Sequence, residues 1–222
     1  MKLKDSFFQY QACYHCDEIY GYEALLRANI ESKICLPIQL LEDIKNDNNA
    51  QYYLFNKLFS DIRTSKKLQD ARVSINVSCS FISNHIFDMR KINAQGINLT
   101  NITIEISERD YFKDKIKTKL NFKRLHELGF KIAIDDFGVE YSTLYRLKEL
   151  DFDVVKLDKT IIKSDDFKQI KKIIDDIYFI NNKVIIVCEG VEKLKELCLL
   201  KQLGINYYQG FYFSKPENMM DC

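Results

Sequence analysis

The stretch KIAIDDFG, Lys131 to Gly138, ends an apolar run in two adjacent carboxylates, Asp135 and Asp136. Side chains alternate faces along a β-strand, so neighbours inside one strand point apart. The two acids are therefore expected to converge only where the strand stops and the chain turns. Other strand-like runs also close in polar residues: Glu23, Asn76, Glu105, Lys156, Glu189 and Gln209. One such residue alone reads as a solvated strand end; a whole series of them does not. With Asp135 and Asp136, Glu23, Glu105 and Glu189 make a set of carboxylates that would repel strongly on one rim, because like charges ~4 Å apart cost several kcal/mol at protein-like dielectric. They must take up protons or bind cations. Carboxylates plus an amide oxygen, without His or Cys, form a hard oxygen donor set suited to Mg²⁺ or Mn²⁺. Asp135, at the last inward position of its strand, is placed to bridge two ions, and Asp136, in the turn, to hold one of them.

The elements that must position these residues alternate from residue 73 onward. Short β-rich runs (RVSINVS, NITIEIS, FKIAIDDF, DVVKLD, KVIIVCEG, INYYQGFYF) are separated by helical ones (KTKLNFKRLHELG, STLYRLKEL, DFKQIKKIIDDIYFI, EKLKELCLLKQLG). Two of the helices end in Leu-Gly, at Gly129 and Gly204, where Gly supplies a left-handed cap. Ser142 is the expected N-cap of the helix that follows it. Repeated βα units imply a parallel sheet.

Period two points to a closed sheet. Ser74, Asn76 and Ser78 share one face and Ile75 and Val77 the other; Thr103, Glu105 and Ser107 oppose Ile102, Ile104 and Ile106. Lys156 shares a face with Asp158, and Glu189 with Ile185 and Val187. One face of each strand suits helices, and the other turns polar toward its C-terminal end, as in a barrel with its site on that rim. An open, doubly wound sheet is usually apolar on both faces. The expected fold is α/β, a TIM-like (β/α) barrel with an antiparallel first strand. FFQYQACYHCDEIYGYEALLRA reads as the opening hairpin, with Glu23, Leu25 and Arg27 on one face of its second arm. LPIQLLEDIKN and AQYYLFNKLFSDI then read as helices.

Composition sets the remaining bounds. The chain has 222 residues, 46% hydrophobic and 29% charged, with two Pro and seven Gly. That is ample for one core and leaves no linker, so residues 1–222 read as a single domain. A net charge of +1 gives no electrostatic case for duplex nucleic acid or a membrane surface. There is no apolar signal core and no run approaching the ~18 residues of a membrane helix, so a cytoplasmic protein is expected. Seven Cys fit reduced thiols. Cys13 and Cys16 in CYHC lack the second ligand pair that a zinc site needs. His15, His85 and His126 neighbour no nucleophile in a recognisable motif.

The motifs YEALLR (Tyr22 to Arg27), INVS, IEISE, DDFG, KLD, CEGVE and QGFYFSKP follow one another in order. Together they resemble the EAL domain, which hydrolyses the bacterial second messenger cyclic di-GMP, and the resemblance runs from about Tyr10 to Pro216. It implies that Glu23, Asn76, Glu105 and Asp135 ligate one metal, and that Asp135 bridges to a second held by Asp136 and supported by Glu189. Lys156 would contact the attacking water and Asp158 orient that region; with Glu23 and Glu189 these form the implied catalytic set. Arg27 would grip a substrate phosphate, Gln209 and Gln11 line the site, and Glu192 supply the second acid of EGVE. Glu108 would anchor the loop after DDFG. The implied cofactors are two Mg²⁺ or Mn²⁺ per site, the substrate cyclic di-GMP and the product linear pGpG; a homodimer is compatible with the resemblance. Two metals suit phosphodiester hydrolysis because they neutralise charge and acidify water without a His base.

The chain departs from the family's usual DDFGTGYSSL at Val139 and Glu140. Glu140 replaces a Gly, which carries a penalty if that backbone needs a positive φ. It motivates a first alternative, a cyclic di-GMP receptor or protein-interaction regulator with impaired turnover. The second alternative is a barrel enzyme that abstracts protons beside a carboxylate with Lys156 as base; such enzymes generally need a capping domain, for which this chain has no room.

Overall fold

The opening hairpin joins β1 (Ser6–His15) to β2 (Glu18–Ile30), and a short β3 (Lys33–Cys35) folds back on the tip of β2. In a computed structural model that describes residues 2–84, 86–107, 114–138 and 143–219, two helices follow, α1 (Ile38–Ile44) and α2 (Asn48–Thr64). Next come β4 (Val73–Asn76), α3 (Cys79–Asn84), β5 (Ile102–Ser107), α4 (Lys115–Glu127), β6 (Lys131–Phe137) and α5 (Thr143–Glu149). The chain closes with β7 (Val154–Leu157), α6 (Lys159–Lys163), α7 (Phe167–Ile180), β8 (Ile185–Cys188), α8 (Leu194–Gln202) and β9 (Tyr207–Gln209). Ser142, Glu108, Val139, Glu140 and His85 lie outside the described residues.

The sheet runs β1-β9-β8-β7-β6-β5-β4-β2, and pairing of β1 with β2 closes the ring, with β3 outside it. β1 is antiparallel to both neighbours; every other pair in the ring is parallel. This is the expected TIM-like barrel with an antiparallel first strand. Helix termini follow the sequence signals. Asp47, Asp114 and Asp166 accept backbone N–H groups at the starts of α2, α4 and α7. Gly129 and Gly204 have φ of +100° and +78°, and the next residues, Phe130 and Ile205, donate back to Leu125 and Leu200.

Period two divides the apolar residues between two layers. Ile75, Ile104, Ile132, Ile134 and Val155 face outward into a core with Phe55, Phe59, Phe87 and Phe130. A separate small cluster joins Ala133, Val154 and Val187, with Cys13, Ile185 and Tyr207 packed against it. Ala133, Val154 and Val187 each stand two residues before Asp135, Lys156 and Glu189. They form an apolar floor inside the barrel, directly beneath the polar residues at the C-terminal rim. Among the described residues no helix is long and apolar enough to cross a membrane.

Candidate active site

The paired aspartates converge by a different route from the one expected. β6 does not stop before Asp136. Its pairing with β7 passes from Ile134↔Val155 to Phe137↔Leu157, so Asp135 and Asp136 together oppose Lys156. This is a β-bulge, which bends a strand and re-aims its side chains. Asp136 takes φ +58°, a left-handed conformation that Asp tolerates better than most residues. One oxygen each from Asp135, Asp136 and Glu189 then lies within 4.8 Å of the others.

Lys156 sits at the centre of the buried acids rather than at their edge. Its Nζ lies 2.7 Å from Glu105 Oε2, 2.7 Å from Glu189 Oε1, 3.1 Å from Glu23 Oε2 and 3.3 Å from Asp135 Oδ1. Lys156 and Glu105 are each 3% exposed. Burial would lower the Lys156 pKa, but the surrounding carboxylates, Asp135 and Glu105 foremost, hold it well above the ordinary lysine value. Burial would raise Glu23, yet Lys156 and hydrogen bonds from Gln209, Asn76 and Lys156 itself hold it below its usual value. Glu105 is pushed well up by burial and by the Glu23 charge. Asp135 is raised by burial, with Lys156 opposing. Burial pushes Glu189 up to about 8 against the pull of Lys156. One ammonium does not compensate all of its acidic neighbours.

The other expected site residues divide. Asn76 Nδ2 donates to Glu23 Oε1 at 2.8 Å, and Gln209 Nε2 donates to Glu23 Oε2 at 2.6 Å and to Gln11 Oε1 at 3.4 Å. Gln11 pairs across the hairpin with Glu23 and donates to Ser214 O at 3.0 Å. Asn76 and Gln209 thus hold Glu23, and Gln11 holds Gln209. Asp158 caps α6 by accepting the Thr160 N–H and hydroxyl. Glu192 is at the surface end of the site, where Lys163 Nζ donates to it at 3.4 Å. Arg27 stands on β2 beyond Glu23, half-buried, with its guanidinium donating to Gln9 Oε1 and Leu26 O. Glu108, as noted, is outside the described residues.

A cleft of ≈ 280 Å³ opens over this cluster, lined by Gln11, Glu23, Asp136, Asp158, Glu189, Glu192 and Gln209, but not by Arg27. Lys159 and Phe211 also line it, and sequence reasoning assigned neither. Their signals were their neighbours: Lys159 directly follows KLD, and Phe211 lies in QGFYF.

The donor set fits a hard divalent cation. Asp135 Oδ1 is buried without a hydrogen bond, even though Lys156 Nζ is 3.3 Å away. A buried carboxylate oxygen in that position calls for a cation, and the donors beside it on Asp136 and Glu189 are oxygens too.

A barrel with carboxylates gathered at its C-terminal rim around a lysine defines the class, and the sequence comparison gives the family. The chain matches the EAL domain over residues 1–216 and belongs to that family. It is 34% identical over 124 residues to the probable cyclic di-GMP phosphodiesterase PdeA of Escherichia coli (strain K12), covering 54% of this chain and 17% of that protein. The probable cyclic di-GMP phosphodiesterase PdeG of the same strain is 33% identical over 165 residues, 71% of this chain and 32% of the relative. The chain thus spans a third or less of the length of these curated relatives. Among solved structures, an EAL domain protein from Listeria monocytogenes EGD-e superposes with a TM-score of 0.78 at 26% identity, covering 97% of this chain and 90% of that one. BlrP1 of Klebsiella pneumoniae, in a manganese/cy-diGMP complex, gives a TM-score of 0.81 at 25% identity, covering 96% and 56%.

Proposed function

We propose that this chain, with residues 1–222 acting as one EAL unit, hydrolyses cyclic di-GMP to linear pGpG with two divalent cations, Mg²⁺ or Mn²⁺. The observation that carries the reading is the convergence of Glu23, Glu105, Asp135, Asp136 and Glu189 on one rim, with a buried Asp135 oxygen lacking a hydrogen bond. The manganese and cy-diGMP bound in the BlrP1 complex agree with it.

Glu23, Asn76, Glu105 and Asp135 would hold one ion, and Asp135, Asp136 and Glu189 the other. Such ions, when bound, supply charge neutralisation and acidify a water molecule. The chain's own residues do the rest. Lys156 Nζ lies within 3.3 Å of four carboxylates, which favour its charged form in the chain by itself. That charge stands beside the place where negative charge develops on the phosphate. The match to the EAL domain over residues 1–216 argues against the proton-abstraction alternative. Gln209 and Asn76 fix the Glu23 carboxylate, Gln11 accepts from Gln209, and Asp158 fixes the start of α6 beside the cleft. Arg27 grips a substrate phosphate with the guanidinium N–H groups that Gln9 and Leu26 leave over, and Glu192 borders the same ligand. Water oxygen forms a new bond to phosphorus, one P–O3′ bond breaks with its electron pair staying on O3′, and a proton from the water ends on O3′ as the free 3′-hydroxyl, opening the ring.

The test is incubation of purified protein with cyclic di-GMP and Mg²⁺ or Mn²⁺, followed by separation of the nucleotides. Release of pGpG that stops with EDTA is the expected result. Binding without release overturns it in favour of the receptor. A homodimer, carried over from the resemblance, is read by light scattering on the same sample.

A further inference from the structure

The cleft is lined by five acids, Glu23, Asp136, Asp158, Glu189 and Glu192, and by one base, Lys159. Lys156 lies beneath them and is taken up by its carboxylates. Neighbouring lysines on this side of the barrel are paired, Lys163 with Glu192 and Lys195 with Asp165. Lys159 makes no ion pair or side-chain hydrogen bond among the described residues. Exposed ion pairs are worth little, so what places the Lys159 stem is packing. Gly190 provides the means. A Cβ on Gly190 would fall 2.5 Å from Lys159 Cβ and 3.3 Å from its Cδ, so the lysine stem lies in the space a side chain would fill. Gly190 also has φ +63°, which further favours glycine there.

Topology gives the direction. Lys159 follows β7 at the C-terminal rim, and Arg27 lies on β2. In the ring β2-β1-β9-β8-β7-β6-β5-β4 these strands stand opposite one another. The strands that carry the two cations therefore stand on opposite sides of the acid cluster, with Lys159 lining the cleft itself.

We propose that Lys159 receives the second phosphodiester of the ligand, the one not being cut, so that the cleft selects a bis-phosphodiester over a ligand with a single diester. This rests on the hydrolysis of cyclic di-GMP proposed above and deepens it. A lysine ammonium is a compact charge that pairs with a phosphate oxygen without a fixed fork geometry.

The test compares wild type with Lys159→Met, which keeps the stem and removes the charge, and with Lys159→Arg. KM and kcat for cyclic di-GMP are measured with Mn²⁺, and Kd for cyclic di-GMP and for the single diester GpG with Ca²⁺. The Met variant is expected to raise KM and Kd for cyclic di-GMP about tenfold, the loss of one charge-assisted contact. Its kcat should stay within about twofold, its Kd for GpG should move much less, and Arg should recover most of the loss. A merely solvated lysine predicts no such split. The inference is overturned if Lys159→Met binds cyclic di-GMP as tightly as wild type, or if it loses GpG and cyclic di-GMP equally. Absence of pGpG release from wild type sinks the hydrolysis reading alone, because the Kd comparison still decides Lys159. Absence of cyclic di-GMP binding to wild type sinks both.

Discussion

Lys156 Nζ and Glu105 Oε2 stand 2.7 Å apart inside the barrel, both side chains almost wholly shielded from water. Glu105 lies between Ile104 and Ile106, and its strand partners are Asn76 and Ala133. Burying an ion pair this deeply costs solvation that its mutual attraction repays only with good geometry. Here Lys156 also reaches Glu23, Asp135 and Glu189, so one side chain serves as the common counter-charge of the site.

Removing that counter-charge tests both stability and chemistry. Lys156→Met is expected to destabilise the fold by about 3–5 kcal/mol, the usual cost of stripping one partner from a buried pair. Turnover of cyclic di-GMP should fall by at least ~10²-fold, the scale of losing one fixed charge at a developing anion. Thermal melting and a turnover assay read the two effects, and a variant that melts and turns over like wild type refutes the role given to Lys156.

Acid stability should carry an unusual sign in chelated protein. Glu189 has a folded pKa of about 8 against an ordinary 4.5, because burial outweighs the pull of Lys156. Glu105 and Asp135 are raised as well. Between those two values the folded chain holds protons that the unfolded chain has lost, so its stability falls as pH rises through that window. Glu23 works the other way, because its pKa is lowered; its contribution is lost as pH falls below the ordinary carboxylate range. A bound divalent ion takes the place of the protons. The rise in Tm produced by Mn²⁺ should therefore grow as pH increases across the same window. Melting curves in EDTA that are flat or rising there would contradict the assignment.

Asp136 sets stability against function. Its φ of +58° strains a non-glycine residue by roughly 1 kcal/mol. Asp136→Gly should melt at or above the wild-type temperature while losing Mn²⁺-dependent turnover. Asp136→Asn keeps a residue that tolerates the conformation and should melt like wild type, again with weakened Mn²⁺ affinity by calorimetry. If both variants lose stability in step with activity, the bulge is a folding element and not a site for the ion.

The sequence by itself determined the order of strands and helices, the hairpin that makes β1 antiparallel, and the rim on which the acids gather. Those features are local. Alternation places Glu105 opposite Ile104 and Ile106, and Leu-Gly ends two helices, whatever the rest of the chain does. It also singled out the acids that the structure brings together, since a series of strand-end carboxylates stands out against single solvated ones. Tertiary structure decided the rest. The bulge at Asp135 and Asp136 arises from how β6 registers against β7, and no pattern within KIAIDDFG encodes it. Asn76 and Gln209 hold Glu23, Glu192 turns to Lys163, and Arg27 is tied to Gln9, because each partner comes from another strand or helix. Lys159 looked like any surface lysine until the loop after β8 passed beneath its stem. Closing the barrel brings strands remote in the chain to one rim, and the environment of each charge, hence its protonation and its partner, exists only once they meet.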